Sequence, residues 1–208
     1  MLLRENTITQ FTETLASDAA APGGGSVAAL NGALAAALLH MSGALTVGKE
    51  KYREFHAEIQ SIMNGAEELQ KKLLIGIDED TEAFDKVSAV FTMPKGTDEE
   101  KAARSAAMQE ALKGAALEPI KTMQAAFECL KLIALAYGKI NTNCLSDFGS
   151  AALCALASAR SAWLNVKINL SGLKDEEFKE KTGTEARKTL AACEKLAEEF
   201  YNKIEQAI

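Results

Sequence analysis

The chain has 208 residues, 48% of them hydrophobic, 25% charged and 6% aromatic, with a formal charge of −6. This is ordinary globular composition, which excludes a disordered or collagen-like chain, and the length suits one domain. A pI near 5.1 argues against nucleic acid as a partner, because that contact depends on clustered Lys and Arg.

Helix signals recur along the chain and alternating strand patterns do not. Thr7 to Gln10 reads as a capping box, followed by Ile8, Phe11 and Leu15 at helical spacing. Pro22-Gly23-Gly24-Gly25 is a turn, after which Ser26 opens a second helix. Between Ala19 and Gly48 no Asp, Glu, Lys or Arg occurs, long enough to span a bilayer. The alanine content, the Pro-Gly turn and Asn31, His40 and Ser42 favour a buried central helix over a membrane span. Lys51 to Val90 reads as a long helix, about 60 Å if continuous, so either a break, at Gly65 or Gly76, or an extended bundle is expected. Phe91 to Gly96 is a loop and Thr97 to Glu100 a second capping box. Pro119 suits the first turn of a further helix. Gly138 to Asn143 is a turn, Ser146 to Leu170 a helix, and Asp175-Glu176-Glu177 opens a last helical region that bends at Gly183. The expected fold is an all-α, single-domain bundle of six to eight helices over residues 1–208, self-associating through helix packing.

The four cysteines, 129, 144, 154 and 193, form no CxxC pair, and His40 and His56 lie far from them in sequence. The pattern predicts free thiols in a reducing cytoplasm and no metal site, and the first residues, MLLRENTITQ, carry no long apolar run, so no signal peptide is expected.

Helical wheels single out three segments. On the Ser26–Thr46 helix, Val27, Leu30, Leu34, Leu38, Met41 and Leu45 form an expected core stripe. Ala29, Ala33, Ala36, Ala37 and Ala44 form a smooth face that also carries Ser26 and His40, suited to close helix contact or a subunit interface. His40 is either a hydrogen-bonded buried histidine or a site lining. Around residues 73–87, Asp78, Glu79, Glu82 and Asp85 point away from the apolar face, while Asp80 falls between Leu73, Phe84 and Val87. A carboxyl forced into an apolar face is raised in pKa, which suits a proton donor near neutral pH; the alternative is a buried pair or a cap at Gly76. On the third helix, Asp147, Ser158, Asn165 and Asn169 share one stripe with Ala151 and Ala162, forming either a ligand wall or an interhelical network. Gly23-Gly24-Gly25-Ser26-Val27-Ala28 fits GxGxxA, but neither a βαβ unit nor a GK[ST] accompanies it. The glycines form either a plain turn or a set of backbone N–H donors at a helix start.

The segments PGGGSVAALNGALAAAL (22–38), VGKEKY (47–52), IDEDTEAFDKV (77–87), MPKGTDEEKAAR (93–104), SDFGSAAL (146–153) and LNVKINLSGLKDEEF (164–178) occur in register over nearly the whole chain. In them the chain resembles the cyclodeaminase part of the formiminotransferase-cyclodeaminase family and the related stand-alone methenyltetrahydrofolate cyclohydrolases. The transferase domains of the bifunctional enzymes are absent from it. The resemblance implies a self-associating helical domain, expected as a homodimer. It implies conversion of 5-formiminotetrahydrofolate to 5,10-methenyltetrahydrofolate and ammonia, or alternatively hydrolysis of the methenyl compound to the 10-formyl form. No metal or redox cofactor is implied. It assigns the proton donor to the second Asp of D-x-D-x-E-A-F, which is Asp80 here. With it, Gly23, Gly24, Gly25 and Ser26 become expected backbone donors to the folate. Asp147, Asn165 and Asn169 become its polar wall, and Lys49 the partner of the glutamate tail, which can be polyglutamylated. The competing expectation is a non-catalytic helical folate binder or scaffold.

Overall fold

The computed structural model describes residues 2–208. Six α-helices carry the fold: α1 (Ile8–Leu15), α2 (Gly24–Ala44), α3 (His56–Phe91), α4 (Asp98–Ala136), α5 (Leu145–Ser171) and α6 (Glu176–Glu205). Short 3-10 turns cover Leu3–Glu5, Glu50–Phe55 and Thr142–Cys144, and no strand occurs among the described residues. Both capping boxes form. The Thr7 and Thr97 side chains each accept a backbone N–H three residues on, and Gln10 and Glu100 reach back to the cap N–H. Asp175 caps α6 by accepting the Phe178 N–H at 3.0 Å.

α2 runs through the centre, against α3 on one side and α5 on the other; α4 lies across α3 and α5, and α6 closes over α5. Glycine is what lets α3 and α5 approach α2. A β-carbon on Gly32 would stand 2.9 Å from both Leu73 Cδ2 and Ser158 Oγ, and one on Gly43 would stand 2.5 Å from Met63 Cγ. α2 is also the one helix, among the described residues, long and apolar enough to cross a membrane by length and composition. The main core gathers Leu39, Ile59, Leu130, Ile133 and Phe148. A second core around Met123, Ala162 and Val166 lies beside the site described below.

Several expectations are corrected. α2 begins at Gly24, two residues before Ser26, with Gly23 as its cap. Its small-residue face, Ala29, Ala33 and Ala36, is the buried one, whereas Leu34 and Leu45 of the expected core stripe are about half exposed. The reason is close packing: α3 and α5 seat on the face without bulk, and Leu34 and Leu45 are left outside. α3 passes through Gly65 and Gly76 without a break, and α6 passes through Gly183. A single glycine costs a helix only about 1 kcal/mol, which packing on two sides outweighs. Asp78 does not face water. It is buried, accepting the Leu3 N–H at 2.6 Å and pairing with Arg4 at 2.8 Å, because the N-terminal segment folds back onto α3.

Pro119 starts no new helix but sits inside α4. Proline has no N–H to give the carbonyl four residues earlier, which would leave the Ala115 oxygen unpaired. Asn169 Nδ2 of α5 donates to that oxygen at 2.8 Å. A side chain from the neighbouring helix thus replaces the missing backbone bond.

Candidate active site

One cavity of about 280 Å³ collects six of the nine expected site residues. Its walls are Gly23, Gly24 and Gly25 at the start of α2, Asp80, Phe84 and Val87 of α3, Ala115 of α4, and Asn165, Ile168 and Asn169 of α5. The volume is at the lower edge of ordinary ligand pockets, enough for a fused bicyclic ring but not for a long tail.

Asp80 is half-buried at the base. Its Oδ2 accepts the Ser26 hydroxyl at 3.0 Å, and Ser26 is fully buried. Burial pushes the Asp80 carboxyl above the usual carboxylate range; the Ser26 hydroxyl and backbone N–H oppose this, and nearby Glu118 adds to it. The Ser26 hydroxyl also lies 3.2 Å from the Ile77 carbonyl. It therefore serves both protonation states of Asp80. Facing the carboxylate it donates to Oδ2; facing the neutral acid it accepts the acid proton and donates to Ile77.

The glycine turn supplies donors. The first intrahelical bond of α2 runs from the Val27 N–H to the Gly23 carbonyl, so the N–H groups of Gly24, Gly25 and Ser26 have no helical acceptor. Gly25 has a second, steric function. A β-carbon there would stand 1.9 Å from Asp80 Oδ1. Only glycine allows α2 to begin directly on the carboxyl group.

The two asparagines are partly committed. Asn165 Nδ2 donates to the Ser161 carbonyl at 2.9 Å, and Asn169 Nδ2 to Ala115. Their side-chain oxygens remain as acceptors on the cavity wall. The polar stripe of α5 therefore serves as wall and interhelical link at once. Ser158, on the same stripe, is buried against Gly32 and its hydroxyl has no hydrogen-bond partner.

Lys49 and Asp147 are not brought to this cavity. Asp147 stands 18 residues before Asn165 on the same helix, about 27 Å along its axis. Both it and Lys49 lie near Cys144. His40 is half-buried near Glu67, 15 residues along α2 from Gly25. The four cysteines are free, and burial pushes the Cys129 and Cys193 thiols up to about 12, which leaves them unreactive. No cluster of metal-ligating side chains occurs among the described residues.

Comparison with known proteins is consistent in one direction. The family model described as formiminotransferase-cyclodeaminase matches residues 7–188. A methenyltetrahydrofolate cyclohydrolase of Methylorubrum extorquens is 42% identical over 202 residues, covering 97% of each chain. The formimidoyltransferase-cyclodeaminase of Rattus norvegicus is 32% identical over 180 residues, covering 86% of this chain and 33% of that protein, so this chain spans about a third of the bifunctional enzyme. The crystal structure of a formiminotetrahydrofolate cyclodeaminase from Thermotoga maritima superposes with a TM-score of 0.82 at 27% identity, covering 99% of this chain and 96% of that one. Together with the all-helical architecture, these matches identify the chain as a member of the formiminotransferase-cyclodeaminase family.

Proposed function

We propose that this protein is an enzyme of folate one-carbon chemistry that acts on the carbon bridging N5 and N10 of tetrahydrofolate. Asp80 is its proton donor. The observation that carries this reading is the Asp80 carboxyl, raised by burial, at the start of α2 beside the free backbone N–H groups of Gly24 and Gly25.

Two reactions make the same demand on such a site. In hydrolysis of 5,10-methenyltetrahydrofolate, water adds to the cationic carbon and loses a proton. The C–N5 bond then breaks, with N5 taking the electron pair and a proton, to leave the 10-formyl compound. In cyclodeamination, N10 adds to the formimino carbon and the C–NH2 bond breaks, with the nitrogen leaving as ammonia after protonation. Each passes through a tetrahedral carbon that must expel an amine, and an amine leaves readily only once protonated. A neutral Asp80 supplies that proton, and its carboxylate form faces the methenyl cation. The N–H groups of Gly24 and Gly25 hold an oxygen of the folate, and the Asn165 and Asn169 oxygens accept pterin N–H groups.

Hydrolysis is the first reading to test, because the cyclohydrolase of M. extorquens matches the whole chain at 42% identity. Cyclodeamination is favoured by the family model and by the T. maritima enzyme, which also matches over the whole chain. The methenyl compound absorbs light and neither the formimino nor the 10-formyl compound shares its band. Its enzyme-dependent loss marks the hydrolase; its formation with ammonia release marks the deaminase. Failure to exceed the buffer rate with both substrates from acid to alkaline pH would overturn the reading.

The protein is further proposed to work in the cytoplasm as a homodimer. What supports the dimer is the outward stripe of α2, where Leu34 and Leu45 are 47% and 48% exposed. Light scattering that shows a monomer at micromolar concentration would contradict it.

A further inference from the structure

Asp80 borders two cavities. One is the 280 Å³ cavity described above. The other lies between α3 and α4 and measures about 20 Å³, room for about one water. Glu118 and Thr122 of α4 and Glu79 of α3 give it a polar wall, and Lys72 and Lys121 line it too. Thr122 is buried, whereas the Glu118 side chain is 23% exposed and so reaches bulk water.

Glu118 also lines a third, wider cavity of about 470 Å³ along the same two helices, with Lys86 and Glu110. Among the described residues lining the small and the wide cavity, it is the one carboxylate common to both. The Lys121 ammonium holds it in place from the next turn of α4, at 2.9 Å. Of the charges around the small cavity, Glu118 is the one whose field adds to the raised Asp80 carboxyl. It does not line the large cavity, so whatever it does for a substrate there it does through Asp80.

Hydrolysis gives such an arrangement a task. As the C–O bond forms, the attacking water gives one proton to the Asp80 carboxylate. Asp80 returns that proton to N5 as the C–N5 bond breaks and leaves its electron pair on N5. The remaining hydroxyl proton departs as the formyl carbonyl forms, and Asp80 takes it. Each turnover therefore ends with one proton more on Asp80 than it began with. At that moment the product still fills the large cavity, and the carboxylate needed for the next turnover is restored only when the proton has left by another side.

We infer that Glu118 is the proton acceptor behind Asp80: it takes the surplus proton through a water in the small cavity and passes it to solvent between α3 and α4. This rests on the hydrolysis reading above. The test is steady-state hydrolysis of 5,10-methenyltetrahydrofolate by the wild type, Glu118→Gln and Glu118→Ala, with thermal melts of all three. Glu118→Gln keeps the shape and loses the acceptor, so kcat is expected to fall about tenfold or more with KM within about twofold. In Glu118→Ala, added formate fits the vacated space and is expected to restore kcat in proportion to its concentration, which chloride at equal ionic strength does not. A Glu118 that only braces the helices would lower the melting temperature and give no response to formate. A Glu118→Gln kcat equal to the wild type, or a loss in Glu118→Ala on which formate and chloride act alike, would overturn the relay and leave the hydrolysis reading standing. A wild type that does not exceed the buffer rate would overturn the hydrolysis reading and the relay with it.

Discussion

The Asp80 carboxyl fills the space that a β-carbon on Gly25 would need: built there, that carbon would lie 1.9 Å from Oδ1 and 2.5 Å from Cγ. One residue type at position 25 and one side chain at position 80 are therefore a single device. Gly25→Ala is expected to fold but to displace Asp80, lowering turnover by about 10²-fold or more, since small misplacements of a proton donor are costly. Gly76→Ala on α3 is the control. Its β-carbon would meet nothing closer than 3.6 Å, and it should gain up to about 1 kcal/mol in unfolding experiments while retaining activity. Equal turnover of Gly25→Ala and wild type would show that Asp80 is not held by this contact.

Burial raises the Asp80 carboxyl, so the folded protein keeps a proton at pH values where the unfolded chain has lost it. The stability from this group is complete below the ordinary carboxylate range and is lost as pH rises through the folded value. Asp80→Asn removes that loss. Its melting temperature should exceed that of the wild type at pH 8, with the difference closing towards pH 4. Thermal melts that show a less stable variant at pH 8 would contradict a carboxyl dominated by desolvation.

Ser26 pulls the same carboxyl downward through its hydroxyl and its backbone N–H. Ser26→Ala removes only the hydroxyl, so the Asp80 value should move further up. The alkaline limb of the kcat/KM profile, where a required acid is lost, should then shift to higher pH. A limb that stays in place, or moves down, would assign it to another group.

Asn169 supplies the hydrogen bond that Pro119 cannot make. Asn169→Leu should leave the Ala115 carbonyl without a partner and cost about 1–3 kcal/mol, or several degrees in melting temperature for a domain of this size. In Pro119→Ala the helix can satisfy that carbonyl itself, so the double variant should recover most of the loss. Additive losses in the cycle would show that the two residues act independently.

The helices and their starts were legible in the sequence because caps and periodicity are local. Thr7, Thr97 and Asp175 each mark a helix start with a side chain three residues or fewer from its partner. The inward position of Asp80 was legible too, since a wheel needs only the helix it describes. What depended on a neighbour was misread. Asp78 looked solvated because Arg4, 74 residues away, is invisible on a wheel. Leu34 and Leu45 looked like core because bulk normally is. Here the glycines at 25, 32 and 43 reverse the rule by letting whole helices approach. Pro119 looked like a helix start because Asn169 comes from another element. A cluster of Lys95, Arg104 and Lys174 around one cavity was missed for the same reason. Lys95 follows α3, Arg104 lies in α4 and Lys174 follows α5, and only the fold joins them.

The most direct measurement is turnover of 5,10-methenyltetrahydrofolate and of 5-formiminotetrahydrofolate by Asp80→Asn, alongside its folate affinity. The account predicts that the variant binds folate about as well as the wild type while turnover falls by about 10²–10⁴-fold, the ordinary worth of a general acid. Turnover equal to the wild type with both substrates would contradict it.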